Sequence, residues 1–371
     1  MDAVHLTTAH NSTDTRIFDK EAASLVDAGF DVGILAHDTP KEEQSSIQFI
    51  SLGSAPSRLD RWRSIPKVAR IAKQLDPSVY HFHDPELIPV GLYLTETTDG
   101  AVVYDVHEDY GHKATGREWI PDPLTPPIAY SVPRVEQLAA GRFDAIVSAT
   151  DRLGRRFVQS NDRITTLHNF PRIDSLPSKM DVRERHADYV LCYVGSLSEL
   201  RGIHRSLDLL NTLRNRGLDV ELWALGSWRN AADERRALQF IHDYDLESSV
   251  KFPGYVNYDK MFRYLCGADI GLSLLDTTEF ETAIPTKQFE YLYAGLPTLT
   301  TPLDAAIRYL PDQFRHVVPQ DDAEATADAA ETALQRDYDA ANMRSLVEEK
   351  YSWEHEAEKL VNLYKRLLGG K

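Results

Sequence analysis

The segment from Pro285 to Pro297 carries the sharpest chemical signal in the chain. Pro285 or Thr286 can open a helix, and Gly295 with Pro297 beyond it can close one. The first turn of a helix presents backbone N–H groups that lack intrahelical partners, so it can hold an anion such as a diphosphate. Glu290 falls about one turn in. Its carboxylate can accept hydrogen bonds from the two hydroxyls of a ribose while the amides hold the phosphates. A well-capped surface helix with an early acidic residue has the same pattern, and the residue types alone leave both readings open.

Other constellations are weaker. His81 and His83 fall on one face of a strand and, with Asp84, could chelate a metal, but no further ligand spacing supports it. The run His107-Glu108-Asp109-Tyr110-Gly111-His112 has one residue too many for the zincin spacing. Asp243-Tyr244-Asp245 and Asp337-Tyr338-Asp339 match a D-x-D string, yet both lie in helical, acidic surroundings and read as solvated loops. Neither a P-loop nor a dinucleotide-binding glycine fingerprint is present, which removes the main feature of kinase-like and nicotinamide-binding readings.

The elements that must position these residues alternate between strand and helix. Val4 to Thr8, Phe30 to Ala36, Val79 to His83, Ala101 to Val106 and Ala145 to Ser148 read as strands, with a helical pattern from Thr15 to Ala28. The same rhythm restarts at Tyr189 to Val194 and continues through Val220 to Leu225, Val250 to Phe252, Ile270 to Leu275 and Pro297 to Thr300. Between the runs lies a Pro- and Ser-bearing stretch starting at Pro171. The expected organisation is a first Rossmann-like domain over 1–172, a linker over 173–187, a second Rossmann-like domain over 188–350, and an amphipathic C-terminal helix over 351–371 that packs back toward the first domain. Two such α/β domains imply a cleft between them, and ligands of open parallel sheets bind outside the carboxyl ends of the strands.

Composition narrows the function classes. In 371 residues, 57 Asp+Glu against 41 Lys+Arg give a net charge of −16, which argues against a nucleic-acid partner. Cys192 and Cys266 are too few for a disulfide scaffold, the N-terminus shows no signal-peptide pattern, and no apolar run reaches the ~20 residues of a membrane helix. A cytoplasmic protein is expected. One stretch departs from the acidic average: Arg58, Arg61, Arg63, Lys67, Arg70 and Lys73, with Trp62 among them and Pro66 interrupting the helical pattern. It reads either as a helix with a solvated outer face or as a peripheral contact for the inner face of a membrane or a lipid-linked acceptor.

The Pro285–Pro297 segment resembles the donor-binding helix of GT-B glycosyltransferases of the family-4 type. The rest of the chain agrees in order. Thr7-Thr8-Ala9-His10 through Asp14-Thr15-Arg16-Ile17-Phe18 is similar to that family's first strand and loop. His81 to Glu86 and Tyr104 to Tyr110 are similar to its acceptor-domain strand ends. Tyr193-Val194-Gly195-Ser196-Leu197 with Arg201-Gly202 resembles its phosphate loop, and Phe252 to Val256 and Ser352-Trp353-Glu354 also fit.

The resemblance implies two Rossmann-like domains facing each other across a cleft. The second would bind a nucleotide-sugar as substrate, with no resident cofactor, and the first would bind a glycan or lipid-linked acceptor. Transfer would run with retention and without a metal. The implied donor-binding residues are Gly195, Ser196, Arg201, Thr286, Lys287 and Glu290. His107, which follows a strand, is implied as catalytic, donating a hydrogen bond to a sugar hydroxyl or stabilising positive charge. Asp14, Arg16, His83, Glu281 and Thr282 are implied as donor-sugar or acceptor contacts. Two departures stand out. The family's helix motif is Glu-x7-Glu, and its first position here is Thr282, with Glu281 one residue off. Ser196 replaces the family's first basic residue in the phosphate loop, so Lys287 is the candidate to restore the charge. A sugar-nucleotide 2-epimerase of the same architecture, or a catalytically weak nucleotide-sugar-binding protein, are the competing expectations.

Overall fold

The computed structural model describes residues 1–38, 46–55, 57–111, 125–176 and 184–369. The chain divides into two compact units, Met1–Asn169 with Trp353–Lys371 and Phe170–Ser352. The first holds a seven-stranded parallel sheet in the order β3-β2-β1-β4-β5-β6-β7. Its strands are β1 (Ala3–Leu6), β2 (Val32–Ala36), β3 (Gln48–Ser51), β4 (Val79–Phe82), β5 (Ala101–Val106), β6 (Ala145–Ser148) and β7 (Ile164–Thr166). The second holds a six-stranded parallel sheet in the order β10-β9-β8-β11-β12-β13. Its strands are β8 (Tyr189–Val194), β9 (Val220–Leu225), β10 (Val250–Gly254), β11 (Ile270–Ser273), β12 (Thr298–Thr300) and β13 (Arg315–Val317).

Both sheets are doubly wound. Alternate residues of each central strand point into opposite apolar layers. In the first unit Val4, Leu6, Tyr80, Phe82, Val102 and Tyr104 enter one layer, while Ala3, Val79, Ala101 and Val103 enter the other. The winding direction reverses between β1 and β4 in the first unit and between β8 and β11 in the second. Those are the switch points where a crevice opens beyond the strand ends.

The C-terminal helix Trp353–Gly369 belongs to the first unit, where Trp353, Leu360, Leu363 and Tyr364 complete the second layer. The division between the units falls at Asn169 and Phe170, inside the 1–172 stretch read as the first domain. Phe170 is drawn to the second unit by ring contacts with Phe289, Tyr309 and Tyr351. Part of the expected 173–187 linker lies outside the described residues, as does His112. Edge strands β3, β7 and β13 are additional to the sequence reading. Two further differences concern helices. The segment expected as a single helix from Thr15 is wound as a π-helix over Thr15–Ala22 before an α-helical turn over Ala23–Asp27. The basic stretch forms one helix, Arg58–Leu75, that continues through Pro66.

Candidate functional site

In the first unit, strand register gathers an ionisable cluster. His5 of β1 is the direct neighbour of His81 of β4. His83 and Asp105 lie two residues beyond His81 and Val103, so all four side chains fall on the face covered by the Thr15–Ala22 π-helix and the C-terminal helix. π-winding is uncommon and is frequently found at functional sites, and here it places Arg16 and Glu21 inside. Arg16 donates to both carboxylate oxygens of Asp105 at 3.2 and 3.3 Å and to the Leu167 carbonyl at 2.8 Å, and its Nε lies 2.9 Å from Glu21. Burial works against the Asp105 charge, but Arg16 and His107 hold its carboxyl well below the usual range. Glu21 goes the opposite way: burial and the Asp105 charge push it well above. Burial also lowers the three strand histidines, His83 to about 4. They are neutral imidazoles.

Nearer the surface, His107 Nε2 lies 3.0 Å from Asp105 and 3.0 Å from His83 Nδ1. Asp84 binds the chain after β1, accepting from Thr7 Oγ1 at 2.8 Å and from the Thr8 and Ala9 amides at 2.6 and 3.1 Å. His10 is held between Asp14 and Asp84, each at 3.5 Å, with its ring 4.9 Å from that of His107. Burial disfavours its charge, but those carboxylates raise its pKa. Asp14 also caps the π-helix by accepting from the Arg16 and Ile17 amides at 2.9 and 3.1 Å.

In the second unit, β8 is followed by Gly195, whose φ of +130° suits glycine. The loop that follows is drawn tight against the neighbouring strands. A Cβ on Gly226 would lie 1.9 Å from the Gly195 carbonyl oxygen, and one on Gly202 would lie 2.0 Å from that of Leu274. The close approach puts Arg201 over Gly195, with its Nη1 3.7 Å from where a Cβ would stand. The helix after β11 runs Lys287–Ala294 and ends at Gly295 in the left-handed conformation. Tyr291 fixes it to the sheet by donating to the Leu272 carbonyl and accepting from the Val194 amide, both at 3.0 Å. Lys287 and Glu290 in its first turn are both buried. The Lys287 ammonium lies 4.4 Å over the Tyr193 ring. Burial and the Arg201 charge lower it to about 7, with Glu290 opposing. A concentrated positive site that gives up a proton when empty is suited to a diphosphate.

The sequence-named residues thus fall into two groups. Gly195, Arg201, Thr286, Lys287 and Glu290 lie along β8 and the helix after β11 of the second unit, with Ser196 exposed on the loop. Glu281 is exposed and Thr282 half-buried in the turn before that helix. Asp14, Arg16, His83 and His107 lie in the first unit. Two need correction as direct sugar contacts. Arg16 is held inside by Asp105, Glu21 and Leu167, and His83 is wholly buried between His5 and His107. The metal reading of His81, His83 and Asp84, which the sequence left without support, gains none here, since Asp84 Oδ2 accepts from the Thr7–Ala9 segment. Among the described residues, Glu21, His81, His83 and Asp105 do bring ligand atoms within 4.8 Å of one another. Arg16 already neutralises that set, which therefore fits a cation poorly. His5, His10, Glu21 and Asp105 went unrecognised as site residues. The available signal was a run of ionisable residues at alternate positions of strands that must be buried.

Comparison with known proteins identifies the family. A model described as glycosyl transferases group 1 matches residues 188–336, and one described as glycosyltransferase family 4 matches residues 16–173. The chain belongs to the GT-B glycosyltransferases of the family-4 type. Solved structures of this fold resemble it over its whole length. Sucrose-phosphate synthase from Thermosynechococcus elongatus superposes with a TM-score of 0.73 at 17% identity, covering all of both chains. HepE of Anabaena in complex with UDP gives 0.72 at 14% identity over 98% of this chain and 99% of that one. WaaG, a glycosyltransferase involved in lipopolysaccharide biosynthesis, gives 0.63 at 17% identity over 100% and 98%. At such identities the likeness shows the fold. No curated protein is close enough in sequence to count as a relative. The β8–Gly195 loop and the Lys287 helix both lie within the stretch matched by the group 1 model.

Proposed function

We propose that this glycosyltransferase moves a sugar from a nucleoside diphosphate to a glycan or lipid-linked acceptor, with retention and without a metal ion. The observation that carries the reading is the buried pair Lys287 and Glu290 at the start of one helix, with Arg201 acting on the same lysine. Fixed positive groups of this kind can neutralise a departing diphosphate without Mg²⁺. Glu290 is the ribose anchor, and Lys287 supplies the charge absent at Ser196. Structures of HepE in complex with UDP and with UDP-glucose support a nucleotide-sugar donor for this chain. His107 acts on the reacting sugar.

Calorimetry with UDP, GDP and ADP in the presence of EDTA tests the assignment. A charge-assisted hydrogen bond is worth about 1.5–3 kcal/mol, so Glu290→Ala and Arg201→Ala should each weaken the preferred nucleotide roughly ten- to a hundredfold. Unchanged affinities, or binding abolished by EDTA in the unsubstituted protein, would refute it. The product's anomeric NMR signal reads retention, and His107→Ala should lower kcat more than it raises KM.

One observation favours a further element of this reading, a peripheral membrane contact. Leu59 and Trp62 are each 59% exposed on the first turns of the Arg58–Leu75 helix, beside Arg58 and Arg63. Apolar tips flanked by cations suit an anionic bilayer surface or the lipid of an acceptor.

A further inference from the structure

We infer that His5, His83 and His107 form a tautomer column in which Asp105 fixes the proton position of all three rings, leaving His107 with a bare Nδ1. The inference rests on the reading of His107 as the residue acting on the sugar, and it specifies in what form His107 acts. Two ring-to-ring hydrogen bonds build the column: His5 Nδ1 to His83 Nε2 at 2.9 Å, and His83 Nδ1 to His107 Nε2 at 3.0 Å. Each can hold only one proton, because two N–H groups would collide and two lone pairs would repel. A neutral imidazole carries one proton on one of its two nitrogens. Choosing the position on any ring therefore fixes it on the other two.

Only two arrangements satisfy these conditions. In the first, every ring carries its proton on Nε2. His107 then donates toward Asp105 and His83, His83 donates to His5, and His107 Nδ1 is bare. In the second, every proton sits on Nδ1, and His107 Nδ1 is a donor. Asp105 Oδ2 lies 3.0 Å from His107 Nε2 and 3.4 Å from His83 Nδ1. The first arrangement puts the N–H at the shorter distance and the lone pair at the longer one. The second reverses them, setting a lone pair against an ionised carboxylate at 3.0 Å. A charge-assisted bond at the shorter distance is the stronger, so the first arrangement wins. The cost falls at the deep end, where His5 Nε2 has no hydrogen-bond partner among the described residues. The count holds for three neutral rings: burial keeps His5 and His83 neutral, and the test below is run at a pH above the ordinary imidazole range.

His107 Nδ1 makes no hydrogen bond among the described residues. In the first arrangement it accepts a hydrogen bond from a sugar hydroxyl, which reverses the donor role expected from the sequence. His5 and His83 are then positioning residues: they touch no substrate and act by holding the third ring's proton.

Histidine-selective ¹⁵N NMR of the unliganded full chain tests this at about pH 8, because protonated and bare ring nitrogens resonate far apart. The single substitutions His5→Gln, His83→Gln and His107→Gln assign the signals by their loss. All three rings should be Nε2–H. An Nδ1–H ring among them, or a doubly protonated one, overturns the inference. Asp105→Asn provides a second reading. Arg16 donates to both Asp105 oxygens, so the amide settles with its oxygen on whichever side Arg16 holds it, and the three rings should keep or change their tautomer together. A switch confined to His107 would break the column. If that variant does not fold, the spectrum of the unsubstituted protein still decides. The measurement involves neither donor nor acceptor, so its failure leaves the transferase reading intact, and a failed His107→Ala kinetic test leaves the column intact.

Discussion

A lysine amine that sits near neutrality beside an arginine and over a tyrosine ring behaves differently from one on the surface. Lys287 is lowered to about 7 by burial and by Arg201. Above that pH the empty site holds a growing share of neutral amine, whereas an arriving diphosphate restores the charge. Nucleotide binding should therefore take up a proton, and affinity should fall as pH rises from about 7 to about 9. Calorimetry in two buffers of different ionisation enthalpy reads the uptake directly. Lys287→Met should bind more weakly and show neither the uptake nor the pH slope. An unaltered slope in that variant would assign the effect to another group. The sequence named Lys287 as a charge donor from its place at a helix start. Its titration was not legible, because that depends on Tyr193, Arg201 and Glu290 being brought to it by the fold. The same limit hid the roles of Arg16 and Glu21: one turn of π-winding decides that both point inward, and no periodicity argument distinguishes that turn from an α-helical one.

Among the elements, buried central strands were legible because unbroken apolar runs such as Tyr189–Val194 leave few alternatives. Edge strands were not: Gln48–Ser51 and Arg315–Val317 are partly exposed and mix polar with apolar residues. The Arg58–Leu75 helix shows a related limit. Six cations in sequence suggested one basic face, but the fold divides them. Arg61 pairs with Glu86 at 3.5 Å, Lys67 donates to the Leu52 carbonyl at 2.7 Å, and Lys73 lies 5.4 Å over the Tyr93 ring. The exposed tip is Leu59 and Trp62 with Arg58 and Arg63. Each cation engaging an anionic surface contributes ~1 kcal/mol, so a variant with Arg58→Gln, Arg63→Gln and Trp62→Ala should lose at least tenfold in binding to anionic vesicles at low salt. Lys67→Gln should bind as the unsubstituted protein does. Equal flotation of all three proteins would return this helix to a solvated face.

At the scale of the whole molecule, the buried histidines of the first unit make it acid-labile. Their folded pKa values are depressed, so between those values and about 6.5 the unfolded chain binds more protons and stability falls as pH falls. Glu21 opposes this by one proton, since it keeps in the folded state a proton that the unfolded chain loses above about 4.5. His10 is charged in both states near pH 5.5 and adds no slope. Glu136, also raised by burial, acts in the same sense as Glu21, and the three histidines outnumber the two carboxyls, so the net effect is a loss of stability as pH falls through the imidazole range. Hydrogen exchange corrected for intrinsic rates should show β1, β4 and β5 losing protection between about pH 7 and 5.5 faster than β8 and β9. Equal losses would contradict it. The return of the C-terminal helix has a consequence of another kind. Trp353 and Tyr364 are core residues of the unit that contains the N-terminus, and Tyr364 lies 2.8 Å from His81. During translation, the first unit therefore waits for the Trp353–Gly369 helix to leave the ribosome before it can close. Until then the nascent chain still exposes an apolar groove, and a stop codon ahead of Trp353 would strand it in that form.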